Sequence, residues 1–206
     1  RYGSLPLEFE TPSSRIVSAT LGKDSFDAGI IAGIVGLAFV ALFMFAYYRL
    51  LGVAAILSLA LSGTMLWVIL AWLSTSRSLA LTLAGVVGLI VSIGTSLDSN
   101  VVYFEHLKED IGNGRTLRSA VDRSFPVAFK TIFYANLASL IGAAILYFLT
   151  VGSVRGFALM LGLASILDLI ATYFFLRPFV KWLSLSNALS SRPWLYGLPT
   201  QEEEVS

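Results

Sequence analysis

A polytopic bundle of transmembrane α-helices is the fold class this 206-residue sequence predicts, and three observations predict it. Hydrophobic residues make up 56% of the chain and charged residues only 13%, whereas a water-facing domain carries about 25% charge. Mean hydropathy is +0.80. Five apolar segments are each long enough to cross a hydrocarbon core, which takes about 20 helical residues. A surface this poor in charge has to meet lipid. In lipid the backbone must satisfy its own hydrogen bonds, so apolar runs of this length read as helices. The alternation of a membrane β-barrel is not seen.

The segments run over residues 27–48, 53–73, 79–104, 125–149 and 156–176. The first two turn at Arg49-Leu50-Leu51-Gly52, the second and third at Ser74 to Ser78, and the last two at Thr150 to Arg155. Residues 1–25 read as the end of an external, extracytoplasmic region, 26–183 as the membrane domain, and 184–206 as a poorly ordered cytoplasmic tail with Pro193, Pro199 and Glu202 to Glu204. The longest connection, 105–124, reads as a helical extension, a Gly112-Asn113-Gly114 turn and a short helix capped by Thr116. Nine Lys and Arg (Arg49, Lys108, Arg115, Arg118, Arg123, Lys130, Arg177, Lys181, Arg192) fall on one side, and five (Arg1, Arg15, Lys23, Arg77, Arg155) on the other. The richer side is expected to be cytoplasmic. Five spans starting outside, on a chain that opens at Arg1 with no signal-peptide pattern, lead us to expect an earlier span and external domain upstream.

Several function classes are excluded early. No cysteine and one histidine, His106, exclude thiol chemistry and any Cys-based or His-cluster metal site, and no metal-ligand spacing is seen. A net charge of +1 with no basic run gives nothing for nucleic acid to bind. No nucleophile triad, phosphate loop or cofactor motif occurs, so nothing argues for an enzyme.

Function is then sought in the polar residues of the spans. A carboxylate at helix centre costs about 2.5–3.5 kcal/mol, so it faces protein or water and often serves a function. Asp98 and Asp168 are the two candidates for proton or ion exchange. Gly85, Gly88, Ser92, Thr95 and Ser99 make a small-residue stripe along the third segment, the kind that lets helices approach closely. Asp98 borders that stripe and is expected at a helix contact. Ser165, Asp168 and Thr172 share one face of the last segment, and Asn136 and Ser139 one face of the fourth, so three polar faces can converge at mid-membrane. Plain interhelical hydrogen bonding accounts for Asn136 and Ser139 equally well. Gly29 and Gly33 read as packing; Tyr47, Tyr48 and Trp182 read as interface anchors, and Glu105 with His106 as a solvated helix-end pair.

Motifs add what physics leaves open. Leu81-Thr82-Leu83-Ala84-Gly85-Val86-Val87-Gly88, then Gly94, then Asp98-Ser99-Asn100-Val101-Val102-Tyr103-Phe104-Glu105, resembles the paired signature of the SecD family within the resistance-nodulation-division superfamily. Gly152-Ser153-Val154-Arg155-Gly156-Phe157-Ala158 is similar to a further element of it, as are Leu21 to Ser25 and Tyr48 to Gly52. The resemblance implies five spans of a six-span half and a bacterial cytoplasmic-membrane location. It implies SecF, the SecYEG translocon and SecA as partners and unfolded preprotein as substrate, with the proton-motive force driving export. It places Asp98 and, beside it, Asn100 on the ion path, and it marks Arg155, Gly156 and Phe157 as motif residues. Tyr134 stands where the family often has an acid and Ala84 where it often has proline; Asp168 is the residue that would compensate for the missing acid. A lipid or drug exporter of the same superfamily, or a passive translocon scaffold, are the alternatives.

Overall fold

The computed structural model describes residues 19–77 and 83–185. Residues 1–18, 78–82 and 186–206 lie outside the described residues. So do Arg1, Arg15, Arg192, most of the expected external segment and Leu81-Thr82 of the signature. Six α-helices fill the description: α1 (Ala19–Tyr48), α2 (Leu50–Arg77), α3 (Leu83–Gly112), α4 (Leu117–Leu149), α5 (Ser153–Ala171) and α6 (Arg177–Leu185). A π-helical turn, Thr172–Leu176, joins α5 to α6. Five helical rods are long and apolar enough to cross a membrane, the last being the continuous Ser153–Leu185.

Each boundary has a local cause. Arg49 alone separates α1 from α2, and its φ of 49° makes the sharp reversal. Gly52 then lies against the backbone of Met44, where any Cβ would collide with the Met44 carbonyl. At the other end of α3, Gly114 adopts φ 81° and its N–H reaches the Ile111 carbonyl at 2.9 Å. Thr116 caps α4 as expected, accepting from the Ser119 N–H at 3.4 Å.

Helix α4 departs from the sequence reading. The short helix from Thr116 and the span from 125 are one helix of 33 residues. Its buried face explains the continuity: Leu117, Val121, Phe125, Ala128, Ile132 and Asn136 recur at three- and four-residue intervals across Pro126. Pro126 itself is exposed. Its missing N–H removes one helical bond, but the packed stripe on the opposite side holds the axis together. The last span likewise runs on to Leu185, with Ser184 buried in α6.

The tightest packing lies toward the end of the bundle that carries Arg49, Glu105 and Arg177. Met44, Tyr48, Leu51, Tyr103, Phe104 and Phe125 are buried together there. Tyr48 is therefore not the interface anchor expected; it is 3% exposed and donates to Glu105 Oε1 at 2.6 Å. Glu105 is taken by Tyr48 and Lys108, and His106 faces Glu109 at 3.6 Å, so Glu105 and His106 do not pair. Tyr47 and Trp182 are exposed, as anchors should be. Ile31, Ile34, Phe39 and Phe43 of α1 are exposed too, which is how a lipid-facing helix looks in isolation.

Candidate functional site

Helices α3 and α5 lie side by side and parallel, and glycine makes their close approach possible. A Cβ on Gly88 would sit 2.9 Å from the Phe157 carbonyl oxygen and 3.1 Å from Met160 Cβ. Two motif residues distant in sequence, Gly88 and Phe157, therefore meet. Arg155, at the start of α5, stacks its guanidinium 4.3 Å from the Tyr147 ring centroid across the α4–α5 turn. Gly156 is half-buried beside it. Gly85 is buried in the same α3 stripe, and a Cβ added at Gly29 or Gly33 of α1 would meet Val86 or Ile90 only at ordinary contact distance.

Further along the same contact lies Asp168, 3% exposed. It sits 15 residues into its span, about 22 Å along the axis at 1.5 Å per residue. Ser96 Oγ donates to its Oδ1, and Ser99 Oγ donates to its Oδ2 at 2.7 Å. From α4, Asn136 Nδ2 donates to the same Oδ2 at 3.3 Å, and also reaches Ser99 Oγ at 3.3 Å and the Ile132 carbonyl at 3.1 Å. Three helices thus converge on one carboxylate, as the three polar faces suggested. All three donors are neutral. They orient the carboxylate and spread its charge but do not cancel it, so it can take up a proton or a small cation and give it back.

The other candidate residues fall in different places. Ser92 is buried and bonds the Leu89 carbonyl, while Thr95 is half-buried and bonds the Ser92 carbonyl. Ser165 bonds the Leu161 carbonyl, and Ser139 stays half-buried outside the cluster. Asp98 is exposed, contrary to the expected helix contact within this chain. The reason is rotation: successive residues on a helix are about 100° apart, so turning Ser99 toward Asp168 turns Asp98 outward. Asn100 and Thr172 are buried, at 1% and 0% exposure. Tyr134, in the place of the expected acid, is exposed. Ser96 is the residue that sequence reasoning missed. Its signal is present, four residues after Ser92 and three before Ser99, but Thr95 fits the three- and four-residue stripe at that turn equally well.

A cavity of about 610 Å³ opens beside this cluster among α1, α2, α3 and α5. Its walls are apolar except for Ser62, Ser92 and Ser96. Through Ser96 it touches the Asp168 site. Among the described residues no group of three or more His, Cys, Asp or Glu could hold a metal ion.

Residues 4–186 match the family described as protein export membrane protein SecD/SecF, C-terminal. The chain is similar to protein translocase subunit SecD of Mycobacterium tuberculosis, at 46% identity over 198 residues, 96% of this chain and 34% of that protein. It is similar to the same subunit of Streptomyces coelicolor, at 44% over 190 residues, 92% of this chain and 33% of that protein. Among solved structures it resembles SecDF, a translocon-associated membrane protein from Thermus thermophilus. That likeness has a TM-score of 0.74 and 36% identity, over 80% of this chain and 22% of the other. The chain therefore spans about a third of the length of the curated relatives it matches.

Proposed function

We propose a function from one premise: the chain belongs to the SecD/SecF C-terminal family of protein-export membrane proteins. It is the membrane portion of a translocase-associated subunit, and it helps draw unfolded preprotein across the bacterial cytoplasmic membrane. Its partners are SecF, SecYEG and SecA, and the proton-motive force supplies the energy. No cofactor takes part, and the preprotein is moved without covalent change. The side rich in Lys and Arg, with Glu105 and Arg177, faces the cytoplasm, and the 1–25 stretch belongs to the external region.

The observation that supports this reading is Asp168, buried on Ser96, Ser99 and Asn136 at mid-span. A proton arriving on the carboxylate removes its charge, weakens its hold on the three donors and loosens the contact of α3 and α4 with α5. Its departure restores the grip. Moving one charge through the full field yields about 2.3 kcal/mol per 100 mV, comparable with the charge-assisted hydrogen bonds being made and broken. Asp98 and Asn100, on the next positions of α3, are the second part of the coupling path. Asp98 faces outward from the bundle, toward a neighbouring membrane helix of the complex.

The test is preprotein translocation by the full-length protein in its complex, in vesicles with and without an imposed proton gradient. Asp168→Asn and Asp98→Asn should each abolish the gradient-dependent increment at normal protein abundance. An increment retained by both variants would leave a scaffold that organises the translocon without using the gradient.

A further inference from the structure

One turn beyond Asp168 lies a second buried polar group that its hydrogen-bond network does not use. The Oγ of Thr172, the Oη of Tyr103 and both amide atoms of Asn100 have no partner. The three residues are 0%, 0% and 1% exposed. An unpartnered polar atom in a buried site is costly, so native structures satisfy such groups, commonly with ordered water.

Their placement follows from the helix register. Ser96 and Ser99 stand 72 and 69 residues before Asp168, and Gly88 meets Phe157 and Met160 at the same two offsets. Helices α3 and α5 therefore keep a constant parallel register. One turn further, the same offsets set Asn100 and Tyr103 level with Thr172. The lower tier thus repeats the upper one, with Thr172 in the place of Asp168. The π turn also begins at Thr172, where the Arg177 N–H bonds the Thr172 carbonyl; π turns recur where a helix serves a site.

Beneath the tier the way leads to charge. The Tyr103 ring meets Phe125 edge-on at 5.3 Å, and the Arg177 guanidinium covers Phe125 at 4.7 Å. Arg177 is half-exposed at that end of the bundle. Above the tier, Ser96 borders the cavity.

We propose that Thr172, Tyr103 and Asn100 form a proton relay between Asp168 and the Arg177 end of the bundle, with ordered water bridging the hydroxyls. This rests on the reading of Asp168 as a coupling acid. Protonated Asp168 passes its proton to a bridging water, which hands one on to the Thr172 hydroxyl. Thr172 releases its own proton toward Tyr103, and Tyr103 does the same toward the water beneath Arg177. Each hydroxyl ends with one proton, the carboxylate is left ionised, and one proton has passed from Asp168 to the Arg177 end of the bundle. Asn100 can neither gain nor lose a proton there; its amide orients the water from both sides.

The experiment uses the full-length protein with its partner in proteoliposomes carrying a lumenal pH dye, under an imposed proton gradient. Tyr103→Phe, Thr172→Val and Thr172→Ser are compared with Asp168→Asn and the parent. The relay predicts loss of most gradient-driven proton uptake in Tyr103→Phe and Thr172→Val, and its retention in Thr172→Ser, all at unchanged Tm. Uptake at the parent level in Tyr103→Phe and Thr172→Val, with Asp168→Asn inactive, overturns the relay and leaves the coupling reading standing. Uptake at the parent level in Asp168→Asn overturns both. Loss in Thr172→Ser equal to that in Thr172→Val also overturns the relay, because the hydroxyl is then not what matters.

Discussion

Ser99 Oγ donates to Asp168 Oδ2 at 2.7 Å and ties α3 to α5 in the middle of the bundle. The same hydroxyl lies 3.2 Å from the Thr95 carbonyl, and one proton serves one acceptor well. The shorter, charge-assisted bond wins.

Ser99→Ala should therefore cost about 1.5–3 kcal/mol, the range for a hydrogen bond to a charged group. In an Asp168→Ala background the same change should cost little, because no carboxylate is left without its donor. A double-mutant cycle by unfolding in detergent measures the difference. Additivity within about 0.3–0.5 kcal/mol would mean that the two side chains do not interact.

Gly88→Ala and Gly33→Ala should have opposite signs. In both, alanine gains up to about 1 kcal/mol of helix propensity. At Gly33 the new methyl meets only the Ile90 side chain, at 3.6 Å, and the gain survives. At Gly88 it meets the Phe157 carbonyl at 2.9 Å, part of a helix backbone that cannot yield without moving α5. Overpacking of that kind costs about 1–3 kcal/mol. Thermal unfolding should show Gly88→Ala less stable than the parent and Gly33→Ala equal or better; the reverse order would place the α3–α5 contact elsewhere.

Composition and span length made the five crossings legible, because lipid leaves a chain so few options. The convergence on Asp168 was legible as well, since Ser99, Asn136, Ser165 and Thr172 each mark a polar face by period. What periodicity cannot give is the angle at which one helix faces another. Asp98 and Ser99 are neighbours in sequence, and only the packing of Gly88 against Phe157 decides which of them turns inward. The break expected between the short helix at Thr116 and the span from 125 fails for a similar reason: the buried stripe from Leu117 to Asn136 carries one helix through Pro126. The π turn at Thr172–Leu176 has no local signal that we recognise.

Tyr48→Phe should destabilise the bundle by about 1.5–3 kcal/mol, since its hydroxyl donates to a carboxylate from a buried ring. Lys108 supports the pair, with Nζ 3.4 Å from Glu105 Oε1 and 4.3 Å from the Tyr48 ring centroid. Tyr47→Phe is the control: its ring also lies under Lys108, at 4.1 Å, but it is exposed. Equal losses in the two variants, measured by unfolding in detergent, would show that the Tyr48–Glu105 bond adds nothing beyond what the exposed Tyr47 hydroxyl does.

Asp98 presents a carboxylate on the outside of α3, within a helix long enough to span the membrane. Left against lipid it would cost about 2.5–3.5 kcal/mol, enough to favour any arrangement in which another helix covers it. A photo-crosslinking residue placed at 98 in the full-length complex should therefore form a protein adduct with the neighbouring subunit. The same residue at Phe148, 80% exposed at the far end of α4, serves as the comparison. Only lipid adducts at 98 would mean that no partner helix covers this face. Asp98 would then have to gain its water from thinning of the bilayer, and its part in the coupling path would lose its physical basis.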